Sequence, residues 1–339
     1  MIERIIYEKP RTEAGKEEQG MRFQDRDFEI LQTIYNNDGV LAKRQLKQLF
    51  WPGNSTRAME KRLSKLNHGE YLAWPSRDHW RSKPIPEPIC WLGWRGILMV
   101  AGKRGIVIEP PGQSNENKLR KFEKELHDKG LHWMREPRWI QLEHDIAVTD
   151  FRLGVEQAVA EICSLTLENW ITDGTFRSSM DVIEFEVKGK DGALKTEKKG
   201  ICPDGYFEIS DERRRINGTP ARARFLVEID MSTHDNPSFG REKAIPGVAY
   251  IKSAAYKNRF GYNSGRWLIV TTGKVRMKNL VQQTIQTAGS GSKAFLFTTF
   301  PQIMGRNVLT EAVWTQPGSD RPLALFAVDL SQRIDLPMT

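Results

Sequence analysis

From Phe23 onward, apolar and polar positions alternate with the period of a helix. Asp25 precedes a run whose Phe28, Leu31, Ile34 and Tyr35 share one face, and Asn36-Asn37-Asp38-Gly39 ends it. Leu46, Leu49 and Phe50 mark a short second helix, broken at Trp51-Pro52-Gly53-Asn54. Ser55 or Thr56 caps a third, which runs to about His68 and closes at Gly69. Met59, Leu63 and Leu66 form its apolar stripe, and Arg57, Lys61 and Lys65 fall four apart on roughly the opposite side. Tyr71-Leu72-Ala73-Trp74 and Ile89-Cys90-Trp91-Leu92 read as strands, and a fourth helix spans about Gly93 to Gly102. The loop between the strands carries Arg77, His79, Arg81 and Lys83 among several prolines.

Residues 103 to about 117 have a linker composition, centred on Pro110-Pro111-Gly112, and Lys118 to Lys129 reads as a highly charged exposed helix. Leu142 to Ile162 predicts one long helix, with His144, Phe151, Val155 and Val159 near one stripe. Strand-like stretches follow between Trp170 and Val187, then a basic turn from Lys188 to Gly200. Ile201 to Ile209 and Phe225 to Met231 form two further strands, joined by a loop with Arg213, Arg214, Arg215, Arg222 and Arg224. Asn236-Pro237 starts a helix that Pro246-Gly247 must kink or split. Arg266–Thr271, Lys274 to about Ala288, and Ala294–Thr298 then make a strand, a helix and a strand, the pattern of a parallel β-α-β unit. Gly289-Ser290-Gly291-Ser292-Lys293 lacks phosphate-loop spacing and precedes a strand, so it reads as a connector.

Three helices followed by a basic two-stranded wing describe a winged helix-turn-helix. Its third helix would enter a major groove, with Arg57, Lys61, Arg62 and Lys65 as phosphate or guanine contacts and Arg77 and Arg81 on the wing. The net charge of +8 over 339 residues favours a polyanionic partner, most simply double-stranded DNA. Three scattered cysteines, Cys90, Cys163 and Cys202, make no disulfide framework and no zinc spacing. No apolar run approaches the roughly 18 residues that a membrane span needs, and no signal peptide opens the chain. The expectation is a cytoplasmic protein with no membrane partner. Its predicted parts are an arm (1–21), a winged-helix domain (22–104), a linker with a charged helix (105–136) and a second α/β domain (137–339).

The second domain holds the candidate chemistry. If 201–209 and 225–231 pair as an antiparallel hairpin, Asp204 at the start of one strand meets the end of the other. Alternation puts Glu228 and Asp230 on one face, so Asp204, Glu228 and Asp230 converge. Carboxylates packed so closely repel unless a cation joins them. Hard oxygen ligands suit Mg²⁺ or Mn²⁺, with water and substrate phosphate completing the shell.

Pro203-Asp204, then Val227-Glu228-Ile229-Asp230, then Lys243 and Tyr250, together resemble the PD-(D/E)xK nuclease superfamily. More narrowly, the chain resembles plasmid replication-relaxation proteins. The resemblance implies a winged helix joined to a nuclease-like mixed sheet flanked by helices, an α/β (α+β) fold. The superfamily usually has lysine where Asp230 stands. Some members carry it on the next helix, where Lys243 falls. It also implies Mg²⁺ or Mn²⁺ held by Asp204, Glu228 and the Ile229 carbonyl, with Asp230 adding a ligand or binding a second metal and Lys243 stabilising the developing charge or positioning the water. Such folds open with a helix that often lends an acid to the site; Glu143, Asp145 and Glu156 are all open, and His144 is a further candidate.

Two functions follow as expectations. One is metal-dependent nicking or cleavage of DNA found by the winged helix, with Arg213, Arg214 and Arg215 tracking the backbone. The other is a non-enzymatic DNA-binding replication-control or mobile-element recruitment protein that keeps the nuclease fold as a scaffold.

Overall fold

Helix α1 (Asp25–Asn36) buries Ile30, Leu31 and Ile34, and the chain leaves it through Asp38 and Gly39, both at positive φ. β1 (Val40–Ala42) and α2 (Lys43–Phe50) follow. α3 (Thr56–His68) starts where its cap predicts, with Ser55 Oγ accepting the Arg57 N–H at 3.2 Å. Then come β2 (Leu72–Ala73), β3 (Ile89–Leu92), α4 (Trp94–Lys103) and α5 (Glu116–Asp128). The computed structural model describes residues 22–53, 55–76, 85–111, 116–188, 193–232 and 236–327. The predicted arm, and Arg77, His79, Arg81 and Lys83, lie outside them.

β1, β3 and β2 form an antiparallel sheet in that order. β1 was not expected, because three consecutive buried residues carry no period. Met59, Leu63 and Leu66 are at most 3% exposed and pack with Ile30, Leu46, Leu92 and Ile97. The same core takes Phe122 and Leu126 from α5 and Trp133 after it. The 105–136 segment, expected as a linker, thus contributes apolar side chains to the first unit. The charge of α5 lies on its outer face, and charge density alone hid the two-residue apolar stripe.

The chain divides into two units between Ile146 and Ala147, inside α6 (Leu142–Ala160). In the second unit, β4 (Leu165–Thr172), α7 (Asp173–Ser178), β5 (Asp181–Lys188) and β6 (Leu194–Ile201) precede the long hairpin of β7 (Gly205–Ile216) and β8 (Thr219–Asp230). A continuous helical run then comprises α8 (Asn236–Phe239), a π turn (Gly240–Ala244) and α9 (Ile245–Lys252). α10 (Ala254–Phe260), β9 (Arg266–Thr271), α11 (Lys274–Ala288), β10 (Phe295–Thr299) and α12 (Phe300–Ile303) complete the described elements.

The main sheet has the order β10-β9-β8-β7-β4. β10, β9 and β8 are parallel, while β7 and β4 are antiparallel to their neighbours. One face packs Phe207, Phe225, Val227 and Ile229 against Phe151, Val155 and Trp314. The other packs Tyr206, Leu226, Ile269 and Phe297 against Phe239, Tyr250, Tyr256 and Leu280. A mixed sheet flanked by helices matches the expected α+β class.

Two details differ from the sequence reading. Residues 194–200, expected within a basic turn, form β6 together with Ile201, which was expected to open the next strand; β6 pairs along its length with β5. The central strands are also longer than predicted, each of 12 residues, and turn at Asn217 and Gly218 with φ of 51° and 80°. That is the Asn-Gly hairpin signal, overlooked among the arginines.

Candidate functional site

The register of the central hairpin decides which carboxylates meet. Gly205 pairs with Val227, and the Asp204 N–H donates to the Val227 carbonyl at 2.9 Å. Asp204 therefore lies beside Glu228, where β7 begins. Its Oδ2 accepts the Ile229 N–H at 2.7 Å. Both Asp204 and Glu228 are 9% exposed.

Asp230 lies two residues farther along β8, past the start of β7, and meets Thr271 of β9 instead. Its Oδ2 accepts the Thr271 hydroxyl at 2.6 Å, and both its oxygens take Arg276 at 2.8 Å. Face alternation was the right rule for Glu228 and Asp230. It did not foresee an arginine arriving from α11. Among the described residues, no group of three His, Cys, Asp or Glu side chains is arranged to hold a metal ion. The predicted Asp204–Glu228–Asp230 cluster is thus two carboxylates plus a separate ion pair.

Lys243 reaches the two carboxylates from the π turn, with Nζ 2.6 Å from Glu228 Oε1. Pro246-Gly247 was expected to kink or split this helix. The distortion falls just before Pro246, as a wider π turn, and the helical run continues through the proline without a split. Gly247 lets α9 lie close to the sheet: a Cβ there would meet Phe295 and the Trp267 Nε1 at 3.0 Å each. Burial works to lower the Lys243 pKa, but Glu228 and then Asp204 outweigh it, and the ammonium is held above its ordinary range.

The β5–β6 hairpin fixes this turn. Lys199 of β6 pairs with Glu242, next to Lys243. Asp181 of β5 accepts the Tyr250 hydroxyl at 2.5 Å and Arg259 through both oxygens at 2.6 and 2.9 Å. Tyr250 is buried and held in this network, which raises its pKa through desolvation and then the Asp181 bond.

A further acid was missed. Thr172 pairs with Gly205, so Asp173 and Asp204 sit at matching ends of β4 and β7. Burial raises the Cys202 thiol pKa; Asp173 and Asp204 add to the rise, and Arg177 and Lys243 oppose it. Asp173 is itself paired with Arg177 at 2.8 Å. The signal was available, since Thr-Asp begins a helix at the end of a strand. Of the open candidates on the long helix, Glu156 lies away from this cluster. Glu156 pairs with Arg152 on its own helix, which packs on the opposite face of the sheet from Glu228. Asp145 pairs with Arg138 and approaches His144, and Glu143 is exposed, all in the first unit.

The predicted DNA contacts separate in the same way. Arg57, Lys61 and Lys65 are exposed and have no charge partner among the described residues. Arg62 is committed to Asp27, which is 0% exposed; its Nε donates to Oδ1 at 2.7 Å. On the hairpin, Arg213 binds Asp211 at 2.9 and 2.8 Å, and that bond lowers the Asp211 pKa. Arg215 donates to Glu212 and to the Gly218 carbonyl, each at 2.9 Å. Arg214 is exposed and has no such partner among the described residues.

The fold and this cluster define a two-unit α+β protein whose mixed sheet carries two carboxylates and a lysine where β7 and β8 meet. The chain belongs to the replication-relaxation family, which it matches over residues 31–258, more than half its length. That membership gives it a replication-related role. No curated protein and no solved structure shows a significant match. No helix among the described residues is long and apolar enough to cross a membrane.

Proposed function

We propose that this chain binds double-stranded DNA through its N-terminal unit, read as a winged helix-turn-helix, and nicks or cuts it at Asp204, Glu228 and Lys243, with the second unit read as a PD-(D/E)xK nuclease-like domain. The observation that carries the reading is Lys243, which the π turn brings to within 2.6 Å of Glu228. A lone lysine between two acids can be merely structural. Here it lies in a π turn, a distortion frequent at functional sites, and at the end of a sheet, open enough to be 37% exposed.

Two carboxylates fit Mg²⁺ or Mn²⁺, which keep several waters and take substrate phosphate as ligands. Asp204, Glu228 and the Ile229 carbonyl would hold the ion; Asp230, occupied by Arg276, would not. The chemistry such an ion supplies is polarisation of the phosphate and a more acidic bound water. Lys243 would donate to a non-bridging phosphate oxygen as negative charge builds there, leaving Glu228 free to turn toward the cation. The Ile229 N–H, bonded to Asp204 Oδ2, fixes that carboxylate in advance. Arg57, Lys61 and Lys65 would contact phosphates, and Arg214 would add one from the hairpin.

The Asp230–Arg276 pair favours a second reading, a replication-control protein that keeps the sheet as a scaffold and recruits other replication or mobile-element proteins. It takes a carboxylate out of the expected cluster. The deciding experiment is incubation of supercoiled plasmid with the purified chain and Mg²⁺ or Mn²⁺. Nicked or linear product, lost in Lys243→Ala, supports cleavage; intact plasmid under every divalent condition supports the scaffold.

A further inference from the structure

The face of β8 that bears Glu228 continues through Leu226 to Arg224 and Arg222, by strand alternation. In register, Arg224 lies opposite Glu208 of β7, and Arg222 opposite Ser210. The Arg224 side chain is only 7% exposed, so its charge needs compensation. Glu208 supplies part of it, with Oε1 3.7 Å from the Arg224 Nε. That is beyond hydrogen-bond length, and the same oxygen accepts the Tyr206 hydroxyl at 2.6 Å. The Arg224 Nε has no hydrogen-bond acceptor among the described residues.

The Arg224 Nη1 donates to the Arg222 carbonyl at 3.5 Å, and a further neighbour is Tyr262, whose ring centre lies 3.1 Å from the guanidinium carbon. Gly261, at φ 77°, ends α10 and turns the chain to present this tyrosine. With Arg224 against its ring, Tyr262 is still 41% exposed. An aromatic ring stacked on a buried cation and open to solvent is ready to receive a second flat group. The surroundings are basic. Lys252 of α9 and Lys257 of α10, on the helices leading from Lys243 to Tyr262, are exposed. Arg222, whose Nη1 lies 3.7 Å from Glu208 Oε2, is 44% exposed. Four residues of strand, about 13 Å, separate Glu228 from Arg224.

We propose that Tyr262, backed by Arg224, is a stacking platform for a base of an unpaired DNA strand whose backbone runs on to the Asp204–Glu228–Lys243 site. This rests on the cleavage reading of that site and names its substrate: DNA with a single-stranded segment, not continuous duplex. Bases of any sequence have a flat face, so the platform tolerates sequence while selecting for unpaired structure. The exposed lysines and arginines supply the phosphate contacts.

The test uses the full chain without divalent metal, so that binding is read apart from cleavage. Fluorescence anisotropy compares a single-stranded thymidine oligonucleotide, a duplex with a single-stranded tail, and the blunt duplex. Tyr262→Ala is expected to weaken the first two by at least about five-fold, the loss of one stacked base. The effect on blunt duplex should be smaller, and Tyr262→Trp should restore binding. An iodouridine-containing strand should photocrosslink to Tyr262, identified by mass spectrometry; a merely structural tyrosine gives no such adduct. Equal affinities of wild type and Tyr262→Ala for the tailed duplex, with unchanged melting temperatures and no crosslink, would overturn the proposal. Plasmid cleavage is read separately, so failure of the platform and failure of the nuclease site are distinct results.

Discussion

Lys243 Nζ lies 2.6 Å from Glu228 Oε1, although the two residues come from a helical turn and a strand 15 positions apart. The pair sets one positive charge against one of two adjacent carboxylates.

Asp204→Asn and Glu228→Gln each remove half of the proposed cation site. In wild type, millimolar Mg²⁺ or Mn²⁺ should raise the melting temperature by mass action. Both variants should lose that rise together with any plasmid nicking, and retain duplex binding. A wild-type melting temperature unmoved by either ion, with no cleavage, would remove the metal site.

Lys243→Ala should keep the metal-dependent rise in melting temperature and lose cleavage, because its charge is needed when phosphate charge develops. If cleavage survives in this variant, Lys243 is only a counter-ion for Glu228.

The pH dependence follows from the raised Lys243 pKa. A folded value above the unfolded one means that the contribution is complete below the ordinary lysine value and fades as pH rises through the folded value. The stability difference between wild type and Lys243→Met should thus be flat from pH 6 to about 9 and change only above about pH 10. Urea melts across that range measure it. A change centred near pH 7 would mean that another group titrates there.

Asp230 and Arg276 are 7% and 13% exposed in their side chains, a nearly buried pair. Arg276→Met should cost about 3–5 kcal/mol by leaving Asp230 unpaired. Asp230→Asn with Arg276→Met should cost less than the sum of the single changes. A double-mutant cycle in urea tests this. Loss of metal-dependent stabilisation in Asp230→Asn alone would instead make Asp230 a ligand.

In the first unit, replacing Arg57, Lys61 and Lys65 with Ala should weaken duplex binding and reduce the slope of log K against log salt by up to about 3. Arg62→Ala should instead destabilise the fold, since it strands the buried Asp27. An unchanged salt slope in the triple variant would assign those cations to plain surface.

Local pattern alone determined much of this protein. The 3.6 period of Met59, Leu63 and Leu66, the Ser55 cap and the β9–α11–β10 succession are set by neighbours within a turn or a strand, and the structure has them where the pattern put them. Asp204 and Glu228 were legible too, because hairpin pairing is a local rule. Only the tertiary structure decided which charges are free. Arg62 meets Asp27 from 35 residues away, Asp230 meets Arg276 from 46, and Asp181 meets Arg259 from 78. Such partners arrive from other helices and strands, and no period in the sequence encodes their approach. The same reason kept the Tyr262–Arg224 stack out of sight: it exists only because a left-handed Gly261 turns Tyr262 onto a residue of β8.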